Sequence, residues 1–570
     1  MFCLNGIGWQ ERSSVIPGIR VMGDGGETAL KEMPENEKTR ASIKSAMKLI
    51  EGTGPVAKEP ESKPIVTTSF DGEIKEIERY WVYEPYTYVS ITYDDEHMEY
   101  RYNVCEPEMT GPELEILERV YDDLRDMLIR GDAGDGGKKE AILKKAYDSL
   151  LNMYGLKLSR ATYNNIYYYL ARNFIGYGRI DALMRDEDIE DISCNGIGMP
   201  IFLFHRRFQN IKTNIEFDDE QELNAMVTLL VQRGGRHISL AEPISNATLP
   251  DGSRIEATLG REVTTRGSSF TIRKFRDDPF TPVDLIRNNT MSAEILAYLW
   301  LAIENNKSLL LAGGTASGKT SSLNAVSLFI PQGSKVITIE DTRELTLFHS
   351  NWLASVTREG PFKQEEGEID MYELLRAALR QRPEYILVGE VRGREALTLF
   401  QAMNTGHTTY STMHAGSVQA VVNRLLNDPI NVPNMMLQAL NIVSIQEMLD
   451  IGGKKIRRTR SIVEITGIDP RTNNLRVNEL FRWDSANDTY ERLGDSYVLG
   501  SIMEKLGWDR SRLSMEIKRR VEILNYLAHE NIRDYKSVGI AIHAYRMMPD
   551  KVMQLLRKGT LADILQAARR

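Results

Sequence analysis

Gly313-Gly314-Thr315-Ala316-Ser317-Gly318-Lys319-Thr320 satisfies the pattern G-x-x-x-x-G-K-[ST] at every fixed position. Ser308 to Ala312 ahead of it is a short apolar run of the length of a buried strand. Ser321 to Ile330 behind it carries a helical pattern stopped by Pro331. In a strand–glycine loop–helix context, the glycines let backbone N–H groups turn inward around phosphates. The helix N-terminus adds the positive end of its dipole. Gly313 through Ser321 therefore form the candidate nucleotide-binding segment. Lys319 is placed to reach the β- and γ-phosphates of ATP, and the Thr320 hydroxyl to ligate Mg2+.

Outward from this segment, alternating apolar strands and helices predict a largely parallel α/β sheet. Lys335 to Ile339 is a strand ending in Glu340-Asp341-Thr342-Arg343-Glu344. Acids at a strand's C-terminal end fall in the crevice where a doubly wound sheet binds ligands. A helix is predicted from Met371 to Arg382, terminated by Pro383. The strand Tyr385 to Val388 then delivers Gly389-Glu390-Val391-Arg392, in which glycine holds the usual aspartate position and Glu390 is the acid left to act. A further helix ends at Thr405-Gly406-His407, and a strand from Thr408 to Thr412 ends at His414.

The bulk numbers set limits. A chain of 570 residues exceeds one core and suggests three or four domains. Hydrophobic and charged fractions of 42% and 26% are those of ordinary globular protein. No apolar run approaches membrane-spanning length and the start lacks a signal-peptide layout, so a cytoplasmic location is expected. A net charge of −9 argues against broad nucleic-acid binding, and no sequence-specific nucleic acid is expected. Cys3, Cys105 and Cys194 form no C-x-x-C pair and indicate neither a disulfide framework nor a zinc knuckle.

The expected organisation begins with a mobile tail over 1–75, including a short helix around Lys38 to Ile50. A small hairpin-plus-helix domain covers 76–137, its strands Thr87–Tyr93 and Met98–Val104. The tyrosines there read as strand formers, with a base-stacking platform as the alternative. The glycine-rich Gly131 to Gly137 marks the boundary to a small α+β domain over 138–278. That domain carries Arg254, Arg261, Arg266, Arg273 and Arg276, a solvated basic face or a source of arginines for a γ-phosphate. The nucleotide-binding domain runs over 279–495 with a hairpin extension, and a helical region over 496–570 follows. The basic Lys454 to Arg458 reads as a loop or strand edge, an exposed loop being the favoured reading and contact with acidic lipid or a partner the alternative.

Four segments in this order resemble the secretion ATPase superfamily, the motors of type II and type IV secretion, type IV pili and the archaellum. They are Gly313 to Thr320 (Walker A), Ile339 to Glu344 (the Asp box), Ile386 to Gly393 (a Walker B with glycine before glutamate) and Thr405 to His414 (the His box). Leu379-Arg380-Gln381-Arg382-Pro383 and Phe400-Gln401-Ala402-Met403 are similar to the archaeal branch. The four-cysteine module common in bacterial type II enzymes is absent.

The resemblance implies a RecA-like P-loop NTPase core in a homo-hexamer that hydrolyses ATP with Mg2+. It implies Glu344 as the base for the attacking water, supported by Glu340 and Asp341. Glu390 would hold Mg2+ together with Thr320, and His407 and His414 would report γ-phosphate occupancy. Arg254 and Arg273 match the positions of arginine fingers. The implied partner is a polytopic inner-membrane platform protein, with a possible regulatory partner at the N-terminal region. A DNA-transfer motor and a nucleotide-binding scaffold with little turnover are the alternatives.

Overall fold

The computed structural model describes residues 74–129, 139–275, 279–358, 369–451, 454–472 and 474–569. The tail over 1–73, the glycine-rich Gly131 to Gly137 and Arg276 lie outside the described residues. The chain divides into two compact units, Met1–Phe275 and Arg276–Arg570.

In the first unit, β1 (Ile74–Tyr83), β2 (Thr87–Asp94) and β3 (Glu99–Cys105) form a meander. Three helices follow: α1 (Gly111–Ile129), α2 (Lys139–Tyr154) and α3 (Arg160–Phe174). Their apolar faces form a core of their own around Leu117, Val120, Tyr147, Ile166 and Leu170. Next come α4 (Asp181–Arg185), β4 (Ile189–Cys194), β5 (Pro200–His205), β6 (Gln209–Glu216) and α5 (Glu220–Arg233). The unit ends with β7 (Ile244–Thr248), β8 (Arg254–Thr258) and β9 (Ser269–Arg273).

All nine strands share one sheet, ordered β1-β2-β3-β6-β5-β4-β9-β8-β7. The expected division at Gly131 to Gly137 therefore does not separate two sheets. β3 runs parallel to β6 through Arg101↔Lys212 and Tyr102↔Thr213. The Asn214 side chain extends that short ladder, bonding the Val104 N–H at 2.9 Å and its carbonyl at 3.0 Å. Asp186, following α4, accepts from the hydroxyls of Tyr80 and Tyr102 at 2.6 Å each. Tyr88 and Tyr102 are buried in this packing, which settles them as core tyrosines rather than a stacking platform.

The second unit opens with α6 (Pro282–Arg287), α7 (Ala293–Glu304), β10 (Leu309–Gly313), α8 (Lys319–Ser327), β11 (Val336–Glu340) and β12 (Trp352–Val356). It continues with α9 (Met371–Leu379), β13 (Tyr385–Val388), α10 (Glu395–Asn404), β14 (Thr408–His414) and α11 (Val418–Leu426). The expected helix to Arg382 ends earlier, at Leu379, because Arg382 turns left-handed at φ 53° ahead of Pro383. β15 (Ile442–Ile451), β16 (Lys454–Ile468), β17 (Leu475–Asp484) and β18 (Thr489–Arg492) follow. Helices α12 (Tyr497–Leu506), α13 (Arg510–His529), α14 (Tyr535–Met547), α15 (Pro549–Arg557) and α16 (Leu561–Arg569) complete the unit.

The sheet order is β12-β11-β13-β14-β10-β15-β16-β17-β18. β12 through β15 run parallel, and β16 to β18 add an antiparallel extension. This is an α/β, RecA-like core. Its central strand β10 is apolar without alternation because both faces are covered. Leu309 and Leu311 enter one core, Leu310 and Ala312 the other. The first core also takes α7 and the C-terminal helices, with Trp300 stacked on Phe329 at 5.2 Å. The C-terminal helices are thus an integral layer of the nucleotide-binding unit.

Buried Glu464 of β16 ties them down. Its carboxylate accepts from the Tyr298 hydroxyl at 2.8 Å, Asn478 Nδ2 at 2.9 Å and the Tyr497 N–H at 2.7 Å.

Candidate active site

The glycine loop leaves β10 at Gly313, where a Cβ would meet the Gln446 carbonyl at 2.4 Å and Ser317 Oγ at 2.5 Å. Only glycine fits there. Ala316 at φ 57° and Gly318 at φ 87° are left-handed. Such alternation turns successive N–H groups to the inside of the loop and carbonyls to the outside. Ser317 Oγ donates to the Gly314 carbonyl at 2.9 Å, closing the loop on itself. The Lys319 ammonium lies over the loop mouth, bonded to the carbonyls of Gly313 (3.1 Å) and Gly314 (2.8 Å). Thr315 is exposed, while Thr320 and Ser321 are half-buried in the first turn of α8. The segment fits a polyphosphate: a backbone cradle, a helix N-terminus and one ammonium converge on it.

The acids stand at the same C-terminal edge of the sheet. β13 is two strand spacings from β10, about 10 Å, with β14 between them. Glu340 ends β11 and is 2% exposed. Its Oε1 accepts the N–H groups of Glu344 (2.9 Å) and Leu345 (3.0 Å), so it shapes the loop that carries Glu344. Burial pushes the Glu340 carboxyl up to about 7 despite these two bonds. Glu344 is half-buried and Asp341 exposed.

Gly389 follows β13 with its N–H bonded to the Ile339 carbonyl at 2.9 Å. A Cβ at Gly389 would come within 3.2 Å of Glu340 Cγ. An aspartate at this position would crowd the Glu340 side chain on the neighbouring strand. Glu390 is half-buried and paired with Arg392 at 2.5 Å, which also approaches Asp341 at 3.9 Å. Arg392 had no role in the sequence reading. The i, i+2 spacing of Glu390 and Arg392, which puts both on one side of an extended segment, is the signal for it.

The two histidines separate. His414 pairs in register with Gly313 across β14 and β10, between the glycine loop and the Glu390 loop. His407 precedes the N-terminal end of the same strand, seven residues and about 23 Å from His414 at strand rise, where its ring faces Thr405 Oγ1 at 3.3 Å. Within this unit His407 is at the opposite edge of the sheet from the glycine loop. Arg254 and Arg273 belong to the first unit. They are exposed cross-strand partners on β8 and β9, with Asp191 facing Arg273 from β4. They stand side by side on neighbouring strands, whereas Arg261 is bound to Glu220 at 2.8 Å.

Lys454 to Arg458 is not an exposed loop. It begins β16, and Arg458 is buried in a two-pronged pair with Asp488 at 2.7 and 2.8 Å. Trp483 Nε1 supports the same carboxylate at 2.9 Å. Arg457 instead reaches the glycine loop, its Nε donating to the Ala316 carbonyl at 2.9 Å. Charge alone hid this, because a run of basic residues reads as solvated until strand alternation splits it between two faces.

Thr320 and Glu390 are hard oxygen donors, a set that suits Mg2+, which keeps most of its waters and is held largely by substrate phosphates. Among the described residues no three His, Cys, Asp or Glu side chains are grouped to hold a metal on their own.

A sequence model of the type II/IV secretion system protein family matches residues 201–492, a little over half of the chain. The chain belongs to this family. A second model, the PilB3-like N-terminal domain, matches residues 37–108. The chain is 40% identical to an uncharacterized protein of Methanocaldococcus jannaschii, MJ0900, over 68% of this chain and 71% of the relative. It is 31% identical to the type IV secretion system protein PtlH of Bordetella pertussis over 38% of this chain and 70% of the other. The conjugal transfer protein TrbB of Rhizobium radiobacter is 30% identical over 40% of this chain and 68% of its own length. Among the described residues of the secretion ATPase, no helix is long and apolar enough to cross a membrane.

Proposed function

We propose that this secretion ATPase is a Mg2+-dependent ATP hydrolase that works as a cytoplasmic homo-hexamer. Its work is to drive secretion, or assembly of a type IV pilus-like or archaellum filament, through a polytopic membrane platform protein. The observation that supports the hydrolase reading is that β10, β11 and β13 run parallel, so the glycine loop, the Glu340–Glu344 loop and Glu390 leave the sheet at one edge, with His414 in register with Gly313. Hydrolysis needs a cradle for the phosphates, a base for the attacking water and positive charge for the leaving group. In this reading Gly313 to Ser321 bind the phosphates and Lys319 exchanges loop carbonyls for phosphate oxygens. Glu344 takes the proton of the attacking water, held in place by Glu340. Thr320 and Glu390 would hold Mg2+, which when bound neutralises charge on the β- and γ-phosphates. Arg254 and Arg273 would supply positive charge to the γ-phosphate as a pair, and His414 would follow its departure.

The test is phosphate release by the purified full chain. Lys319→Ala is expected to lose nucleotide binding, and Glu344→Gln to keep binding and lose at least a hundredfold in turnover. Near-wild-type rates in both would overturn the assignment.

The likeness to a conjugal transfer protein favours a second reading, a DNA-transfer motor. The net charge of −9 weighs against it. Salt-sensitive binding of duplex DNA would establish it over filament assembly. A nucleotide-binding scaffold is the remaining alternative, and it would bind ATP without the turnover that Glu344→Gln removes. The N-terminal region is the proposed docking place for a regulatory partner. Its clean test is deletion of residues 1–73, because a cut at 137 would strip β1 to β3 from the sheet of the first unit. Retained binding of the platform protein and its regulators after that deletion would refute docking at the tail and leave the β1–β3 meander as the candidate surface.

A further inference from the structure

Arg457 touches the glycine loop on both sides of Ser317. Its Nε donates to the Ala316 carbonyl at 2.9 Å, and its Cδ lies 3.2 Å from where a Gly318 Cβ would be. The carbonyl it holds belongs to a left-handed alanine, a conformation that L-residues adopt only when their surroundings enforce it. Outward carbonyls are the counterpart of inward N–H groups in a phosphate-binding nest. A donor fixed on the Ala316 carbonyl therefore fixes the orientation of the N–H groups that follow it.

The donor is itself held. β16 is paired with β15 through Met448↔Arg457 and Glu447↔Arg458. Arg458, on the other face of the strand, is locked to Asp488 and to the Asn288 carbonyl at 2.9 Å. Strand alternation then leaves Arg457 aimed at the loop. β15 contributes a second brace, the Gln446 carbonyl that closes against Gly313.

We propose that Arg457 is a positioning residue for nucleotide binding: it holds the glycine loop in its phosphate-cradling conformation through the Ala316 carbonyl. The proposal rests on the reading of Gly313 to Ser321 as the ATP site. It assigns the effect to the donor at Nε and not to the positive charge, and the two are separable. Gln Nε2 occupies the same place along the side chain as Arg Nε and is neutral. Lys carries the charge but has a carbon at that place.

The experiment compares wild type with Arg457→Ala, Arg457→Lys and Arg457→Gln in the full chain. It measures binding of a fluorescent N-methylanthraniloyl-ATP, KM and kcat for ATP, and Tm with and without ATP and Mg2+. Arg457→Ala and Arg457→Lys are expected to raise Kd and KM about tenfold, the upper end for one hydrogen bond, with kcat within about twofold. Arg457→Gln is expected to recover most of the affinity. The Tm without nucleotide stays at the wild-type value in all three, while the gain in Tm on adding ATP shrinks in the Ala and Lys variants. Wild-type affinity in Arg457→Ala, or recovery by Lys and not by Gln, would overturn the proposal. So would equal loss of nucleotide-free Tm and affinity, which marks a purely structural role. Absence of nucleotide binding in the wild type, unchanged by Lys319→Ala, would overturn the ATP-site reading instead.

Discussion

Placing an alanine at Gly389 tests the link between the two acidic loops. Its new Cβ would sit 3.2 Å from Glu340 Cγ, 3.5 Å from its Cβ and 3.7 Å from its Cα. Glu340 has little room to retreat: it is 2% exposed and held by the N–H groups of Glu344 and Leu345. Relief of the crowding therefore moves Glu340 by a few tenths of an ångström and carries Glu344 with it. Misplacing a catalytic group by 1 Å costs on the order of a hundredfold in rate, so a shift of this size is expected to cost about tenfold in kcat. Overpacking of this kind costs about 1–3 kcal/mol of stability. KM for ATP should stay within about twofold, because β14 stands between β13 and the glycine-loop strand. Gly389→Asp should do more damage. A second carboxylate beside Glu340 adds like-charge repulsion to the crowding and pushes Glu340 further toward its protonated form. Steady-state phosphate release together with nucleotide titration reads both effects. A Gly389→Ala chain that turns over at the wild-type rate, or loses ATP affinity in step with turnover, would refute the reasoning.

Two further outcomes follow from the same edge of the sheet. The Glu340 carboxyl is raised from 4.5 to about 7 in the folded chain, so above pH 4.5 the unfolded chain ionises first. Native stability is then lost progressively as pH rises through 7, by about 3 kcal/mol in all. Glu340→Gln should narrow the stability difference between pH 5 and pH 8 in urea unfolding by that amount, and an unchanged difference would contradict the burial argument. Of the histidines, His414→Ala is expected to lower ATP turnover about tenfold or more, while His407→Ala, at the far edge of the sheet, should remain within about twofold. Equal losses in both would mean that His407 acts at the nucleotide by a route this unit does not contain.

The glycine loop was legible in sequence because its chemistry is local: eight consecutive residues dictate a loop whose backbone does the binding. The acids were legible for a related reason, since a short apolar run that stops at a carboxylate places that carboxylate at a strand end. What the sequence does not display is non-local. His407 and His414 share one motif in sequence, yet seven residues of extended chain put them at opposite edges of the sheet. Arg457 and Arg458 are adjacent in sequence and face different partners, because a strand sends neighbours to opposite sides. The meander of β1 to β3 looked like a separate domain. Its attachment to β6 includes two backbone pairs, the Asn214 side chain and the Lys212–Glu99 pair, none of which leaves a periodic trace.

The order of strands sets the glycine loop and the Glu390 loop on either side of β14. β14 separates them, and its last residues serve both sides. Thr412 Oγ1 donates to the Gly389 carbonyl at 2.6 Å, and the Val391 N–H donates to the Thr412 carbonyl at 2.9 Å, so the Glu390 loop is sewn to β14. Two residues on, His414 lies in register with Gly313. On its other flank the glycine loop is braced by Gln446 and Arg457. A displacement of the loop toward or away from phosphate is therefore resisted on one side by β15 and β16. On the other side it meets β14, to which the Glu390 loop is bonded. The strand that carries no P-loop and no acid of its own is the one in contact with both.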